Sequence, residues 1–195
     1  MFAVWLMACV AAGYVFMAQD FRPGQLGTPQ AVWPTDSALS HAAGRLTAVA
    51  FLHPRCVCSN ATIHQLVRTM RDRPDVSTVI AVFVPEGSAV DRAWDESRSV
   101  RELRASLPQA SIVRDPGGAE ARRFGAWTSG TIVVYDGTGR EVFRGGITGR
   151  RGGEDENPGR QRLVRSLTGA IEPASGSGPV FGCQILAESG VPGAT

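Results

Sequence analysis

The chain contains no lysine: its 20 basic residues are all arginines, set against 18 acidic ones, for a formal net charge of +2 over 195 residues. So even a balance excludes the electrostatic footprint of a DNA- or RNA-binding protein and points to coding bias instead. Cysteine is scarce too, limited to Cys9, Cys56, Cys58 and Cys183. With one closely spaced pair among them, a disulfide-dense scaffold is excluded. There is no Cys-x-x-Cys pair, no Cys-x-x-Cys-His for attachment of c-type haem, no histidine after His64 and no internal repeat. What is present, 43% hydrophobic and 19% charged residues, supplies one proper core and excludes a second full domain.

Residues 2–18 carry no charge and are nearly all apolar. As a helix they span roughly 26 Å at about 1.5 Å per residue, close to the thickness of bilayer hydrocarbon. Trp5 and Tyr14 suit the two interfaces, and the polar run from Gln19 and Asp20 to Arg22 and Pro23 ends the segment. No basic stretch precedes it, and cleavage after Ala18 would place bulky Phe16 where a signal peptidase wants a small residue. The expectation is therefore a transmembrane anchor over residues 1–19, with a cleaved signal sequence as its competitor. Cys9 reads as a small apolar filler. Residues 20–44, with Pro23, Gly24, Gly27, Pro29 and Pro34, read as a linker that holds the next domain off the surface, and Trp33 and His41 as incidental to it.

From residue 45 the pattern alternates. Residues 46–53 (LTAVAFLH) and 76–84 (VSTVIAVFV) are short apolar runs typical of buried strands. Between them Ile63, Leu66, Val67 and Met70 fall at helical spacing, so a strand turns into a helix at Cys56 and Cys58. An amphipathic helix is expected over 89–107, a third strand over 110–114 and a brief helix over 119–124. A hairpin joins 131–135 to 141–144 around Asp136-Gly137-Thr138-Gly139, and a last helix uses Leu163, Val164, Leu167 and Ile171. Residues 45–171 thus form one α/β domain with a mixed sheet flanked by helices, and 172–195 an irregular tail carrying Cys183.

A thiol attacks only as thiolate, and a helix N-terminus beside Arg55 favours the ionised form of Cys56, the expected nucleophile. Cys58, two residues on, is near enough to close a strained and therefore oxidising disulfide with it. Alternatively Cys183 resolves a mixed disulfide, because about a dozen extended residues reach roughly 40 Å. His53 and His64 flank the pair, and together with Cys56 and Cys58 they offer an alternative copper or zinc set. The loop 145–159, with Arg150, Arg151, Glu154, Asp155, Glu156 and Asn157, is a candidate for partner contact or for a proton-transfer carboxylate.

Over roughly residues 42–170 the order of elements, the cysteine pair and Asp115-Pro116-Gly117-Gly118 before Phe124-Gly125 resemble the thioredoxin-like superfamily in its membrane-linked TlpA-like branch. The sequence is most similar to the RedB-like group, whose His-Pro-x-Cys-x-Cys, Thr-Ser-Gly and Phe-Gly-Cys elements match His53 to Cys58, Thr128-Ser129-Gly130 and Phe181-Gly182-Cys183. The resemblance implies a thioredoxin fold in which Thr128, Ser129, Gly130 and Thr131 border the cysteines and contact substrate. Gly130 stands where thioredoxins have a cis-proline, giving a close approach for a partner backbone without the rigid bond.

These readings converge on a thiol-disulfide oxidoreductase that needs no cofactor and acts on protein thiols or disulfides. It is expected at the bacterial inner membrane, with its domain facing the periplasm or the cell exterior. A copper-binding or copper-delivery protein on the same fold is the main alternative, then a peroxidase, although His53 and Pro54 stand where a peroxidase carries threonine. A non-catalytic binding module is the remaining class, and it would keep its partner after both cysteines are replaced.

Overall fold

A computed structural model describes residues 1–54, 56–85, 94–169 and 178–186. The sheet grows around β1 (Thr47–Leu52), every residue of which is buried, as expected of a central strand with an almost unbroken apolar run. β1 lies parallel to β2 (Ser77–Val84), which lies parallel to β3 (Ser111–Pro116). On its other side β1 pairs antiparallel with β4 (Thr131–Tyr135), which turns through a hairpin into β5 (Glu141–Gly145). The order is β3-β2-β1-β4-β5. This is the mixed sheet expected from the alternation of runs.

Alternate residues of the strands face two different cores. On one face Ala48, Ala50, Leu52, Ile80, Val82, Ile132 and Val134 pack against helices α2 (Val57–Met70), α3 (Arg98–Ser106) and α5 (Pro158–Leu167), which contribute Leu66, Met70, Leu103 and Leu163. On the other, Val49, Phe51, Val79, Ala81, Val133 and Tyr135 meet Ala121 and Phe124 near the five-residue helix α4 (Ala119–Arg123). So short a helix cannot cover that face. Leu39 and Trp33 from one flanking segment and Ile185 and Leu186 from the other complete the cover.

Two expectations change here. The segment 20–44 is irregular, yet it does not stand clear as a linker. Gly27 N–H donates to the carbonyl of Gly125 (3.0 Å), Trp33 N–H to that of Gly139 (2.8 Å), and Val32 forms an antiparallel bridge with Arg140. Trp33 and His41 are not incidental: the indole packs on Phe124, Tyr135 and the His41 ring at 5.0–5.1 Å between centroids, and His41 Nε2 meets the carbonyl of Asp136 at 2.8 Å. An apolar sheet face left open by a short helix is what draws this strap in.

The helix expected over 89–107 is in its described part a short 3₁₀ turn, Trp94–Glu96, followed by α3. Ser97 separates them, because its hydroxyl accepts the N–H of Val100 and so starts a new helix. In α5 Leu163 and Leu167 are buried but Val164 is 37% exposed, so it lies outside the core stripe. Ile171, expected in the same helix, lies outside the described residues. The N-terminal apolar stretch is one helix, α1 (Phe2–Asp20), with mean hydropathy 1.7 and none of its apolar window buried. Its length and composition suffice to cross a membrane, and a signal sequence meets the same test.

Candidate active site

β1 ends at Leu52, and the chain turns through His53 and Pro54 into α2, for which Cys56 is the N-cap residue with extended backbone (φ −86°, ψ 120°). Cys56 N–H closes the turn on the carbonyl of His53 (3.2 Å). The first turn of α2 has no acidic residue to neutralise its positive end. Cys56 is 4% exposed, whereas Cys58 is half-buried and free.

The partner of Cys56 is Cys183, 127 residues on, with Cα atoms 6.4 Å apart. Of the two pairings left open by the sequence, the tail therefore supplies the bond and the neighbour does not. Cys58 stays close: the three sulfurs lie within 4.8 Å of one another. Neither histidine joins this cluster. The His53 ring packs on Phe83, 5.5 Å between centroids, while both nitrogens of His64 are engaged elsewhere, Nε2 by Glu102 (2.8 Å) and Nδ1 by Glu154 (2.7 Å). The alternative metal set of Cys56, Cys58, His53 and His64 is not assembled. α2 carries His64 almost two turns beyond Cys58, on the flank facing α3.

The Thr128 to Thr131 segment does come to the cysteines. Ser129 Oγ accepts the N–H of His53 (2.9 Å) and lies 2.8 Å from the hydroxyl of Ser59, whose own proton is directed at the His53 carbonyl 3.0 Å away. Gly130 N–H donates to Phe51 O (2.8 Å), and Thr131 Oγ1 to Thr128 O (2.6 Å). The cysteine turn and the entry to β4 are thereby locked together through buried hydroxyls. Gly130 has φ +92°, a conformation that disfavours side chains, and a Cβ there would sit 2.9 Å from Thr62 Oγ1. Arg55 lies outside the described residues.

From the loop 145–159, Arg151 reaches the site: its guanidinium donates to the carbonyl of Gly182 (2.6 Å). The carboxylates serve other ends. Glu154 meets His64, Glu156 pairs with Arg68 and Arg160, and Asp155 lies 3.6 Å from Arg150. Partial burial pushes the His64 imidazole down, but the carboxylates of Glu154 and Glu102 outweigh it and hold its pKa above the ordinary histidine value.

Sequence reasoning missed Ser59, whose hydroxyl bridges the two halves of the site, and gave Arg151 no specific role. A small hydroxyl residue in the first turn after the cysteines was the only signal for Ser59. It missed too that the residues around Cys183 pair with this edge: Ser129 N–H donates to Cys183 O (2.8 Å), and Thr128 bridges Gln184 in antiparallel sense.

The sheet order, the cysteine at the β1–α2 junction and the crossover helices define a thioredoxin-like fold. A hypothetical protein of Sinorhizobium meliloti shares it with a TM-score of 0.59 at 18% identity, over 87% of this chain and 96% of that one. An uncharacterized conserved protein of Geobacillus kaustophilus gives 0.59 at 17% identity, over 88% and 95%. A secreted disulfide oxidoreductase of Mycobacterium tuberculosis overlays more loosely, with a TM-score of 0.43 at 13% identity over 65% and 83%, too distant to bear on function. No protein-family profile matches the sequence, and no curated protein does.

Proposed function

We propose that this protein is a membrane-anchored thiol-disulfide oxidoreductase of the extracytoplasmic side, acting on protein thiols or disulfides through Cys56 and Cys183. The observation that carries the reading is the Cys56–Cys183 bond at the start of α2, with Cys58 beside it. In the reducing direction the Cys56 thiolate attacks a substrate disulfide, and one substrate sulfur leaves as thiolate and takes up a proton. The Cys183 thiolate then attacks the Cys56 sulfur, closing Cys56–Cys183 and releasing the second substrate thiolate. The reverse sequence transfers the disulfide to a substrate dithiol. The helix N-terminus and Arg55, adjacent in sequence, favour the Cys56 thiolate. Neither step calls for a cofactor.

An intramolecular disulfide fits an oxidising compartment, and the length and apolarity of α1 fit a bacterial inner-membrane anchor. The His-Pro-x-Cys-x-Cys, Thr-Ser-Gly and Phe-Gly-Cys elements support the finer kinship with the RedB-like group.

Non-reducing peptide mapping of the oxidised protein is expected to recover a Cys56–Cys183 cross-link, and Cys183→Ser to accumulate mixed disulfides on Cys56 while insulin reduction falls. Insulin reduction unchanged in Cys56→Ser would refute the reading.

The three sulfurs favour a second reading. Once reduced, Cys56, Cys58 and Cys183 offer three soft donors from neighbouring positions, a set suited to Cu(I). Anaerobic Cu(I) titration of the reduced protein decides it, and absence of one-to-one binding removes it.

A further inference from the structure

The stretch from Gly178 to Leu186 lies against the site as a bound peptide would. Hydrogen bonds run along it on both sides of the cysteine. Before Cys183, Gly146 N–H donates to Pro179 O (3.2 Å), Gly24 N–H to Val180 O (2.7 Å) and the Arg151 guanidinium to Gly182 O (2.6 Å). At and after it, Ser129 N–H donates to Cys183 O (2.8 Å), and the N–H groups of Ile185 and Leu186 both reach Trp127 O (2.7 and 3.1 Å). Nearly all of these contacts are main chain to main chain, so they hold a segment that pairs in antiparallel sense at Gln184 and bends on either side of it, whatever its side chains.

Selection among segments comes from two other features. Val180, Phe181, Ile185 and Leu186 are each at most 8% exposed, so the groove takes apolar side chains on both sides of the cysteine. Gly182 lies so close to the main chain of Ser129 that a Cβ there would overlap the Ser129 carbonyl. Backbone cannot yield as a flexible side chain would. The position before the cysteine is thereby closed to every residue except glycine.

We propose that the channel between residues 127–130 and Arg151 is a docking groove for protein segments bearing a Gly-Cys pair flanked by apolar residues, and that residues 178–186 are its resident occupant. This rests on Cys56 as the attacking thiol. The pairing that presents Cys183 to Cys56 is the pairing that presents a substrate cysteine. When the tail leaves, Ser129 N–H, Trp127 O and the Arg151 guanidinium lose their partners, and an incoming segment replaces them. Arg151 Nε, buried and without a hydrogen-bond partner among the described residues, adds a donor to the same wall. The tethered tail competes at high effective concentration, so reduction of Cys56–Cys183 is what opens the groove.

The test uses the full-length reduced protein in detergent, carrying Cys9→Ser, Cys58→Ser and Cys183→Ser, so that Cys56 is its one thiol. The probes are the peptide Val-Phe-Gly-Cys-Gln-Ile-Leu, its cysteine held as a mixed disulfide with thionitrobenzoate, and the same peptide with Ala in place of Gly. Attack by the Cys56 thiolate forms the Cys56–peptide disulfide and expels the coloured thionitrobenzoate anion. The glycine peptide is expected to react about tenfold faster or more than the alanine peptide. Adding Gly182→Ala, which displaces the resident tail, is expected to raise the rate with the glycine peptide further. Equal rates with the two peptides overturn the groove and leave the thiol chemistry standing. No release from either peptide, nor from the symmetrical thionitrobenzoate disulfide, overturns both.

Discussion

Ser129 is 1% exposed, and its single hydroxyl serves the His53 N–H and the Ser59 hydroxyl while its amide holds the Cys183 carbonyl. Removing one member of a buried polar set leaves the others without partners, which costs more than the bonds were worth net. Ser129→Ala is expected to lower stability by about 1–3 kcal/mol in urea unfolding. It should also quicken alkylation of Cys56 in the reduced protein, because the turn holding that cysteine loses its brace. Ser129→Thr, which keeps the hydroxyl, is expected to recover much of the loss. Thr128 to Thr131 were legible in the sequence as a bordering segment. The contacts of Ser129 were not, since two of its partners, Ser59 and His53, lie about 70 residues back along the chain.

At the scale of elements, α2 is fixed at its N-terminus and at its middle. Its N-terminus is held by the cysteine bond and the Ser59–Ser129 contact, and its middle by His64, which joins it to Glu102 of α3 and to Glu154 of the loop before α5. The raised pKa of His64 means that the folded state binds this proton more tightly than the unfolded chain does. The contribution is complete below the unfolded value of 6.5 and is lost as pH rises through the raised folded value. Thermal stability is therefore expected to decline as pH climbs through and above the histidine range, and His64→Gln to flatten that decline. A slope unchanged in the variant would assign it to other groups. Because the imidazole is 42% exposed, solvent screens the pair and the effect is modest.

Over the whole molecule, the sheet face opposite α2 is closed by two segments from the ends of the chain, the strap around 33–39 and the tail at 185–186. Glu120 is the rivet of the strap. Only 6% exposed, it accepts from Ser37 Oγ (2.6 Å), Ala38 N (3.2 Å) and Arg123 (2.8 Å). Glu120→Ala is expected to release residues 37–39, seen as faster amide exchange there, and to expose Trp33, seen as a red shift of tryptophan emission, while Cys56–Cys183 still forms. Intact protection at 38 and 39 would show that the apolar packing of Leu39 holds the strap alone. The strand runs, the helix after the cysteines, the hairpin and the apolar N-terminal helix were settled by the sequence, because period and turn chemistry act between near neighbours. Which sulfur joins Cys56, which segments close the second face, and why glycine precedes Cys183 were decided by tertiary structure. Each depends on surfaces that meet only after distant stretches have folded together, and local patterning carries no trace of such meetings.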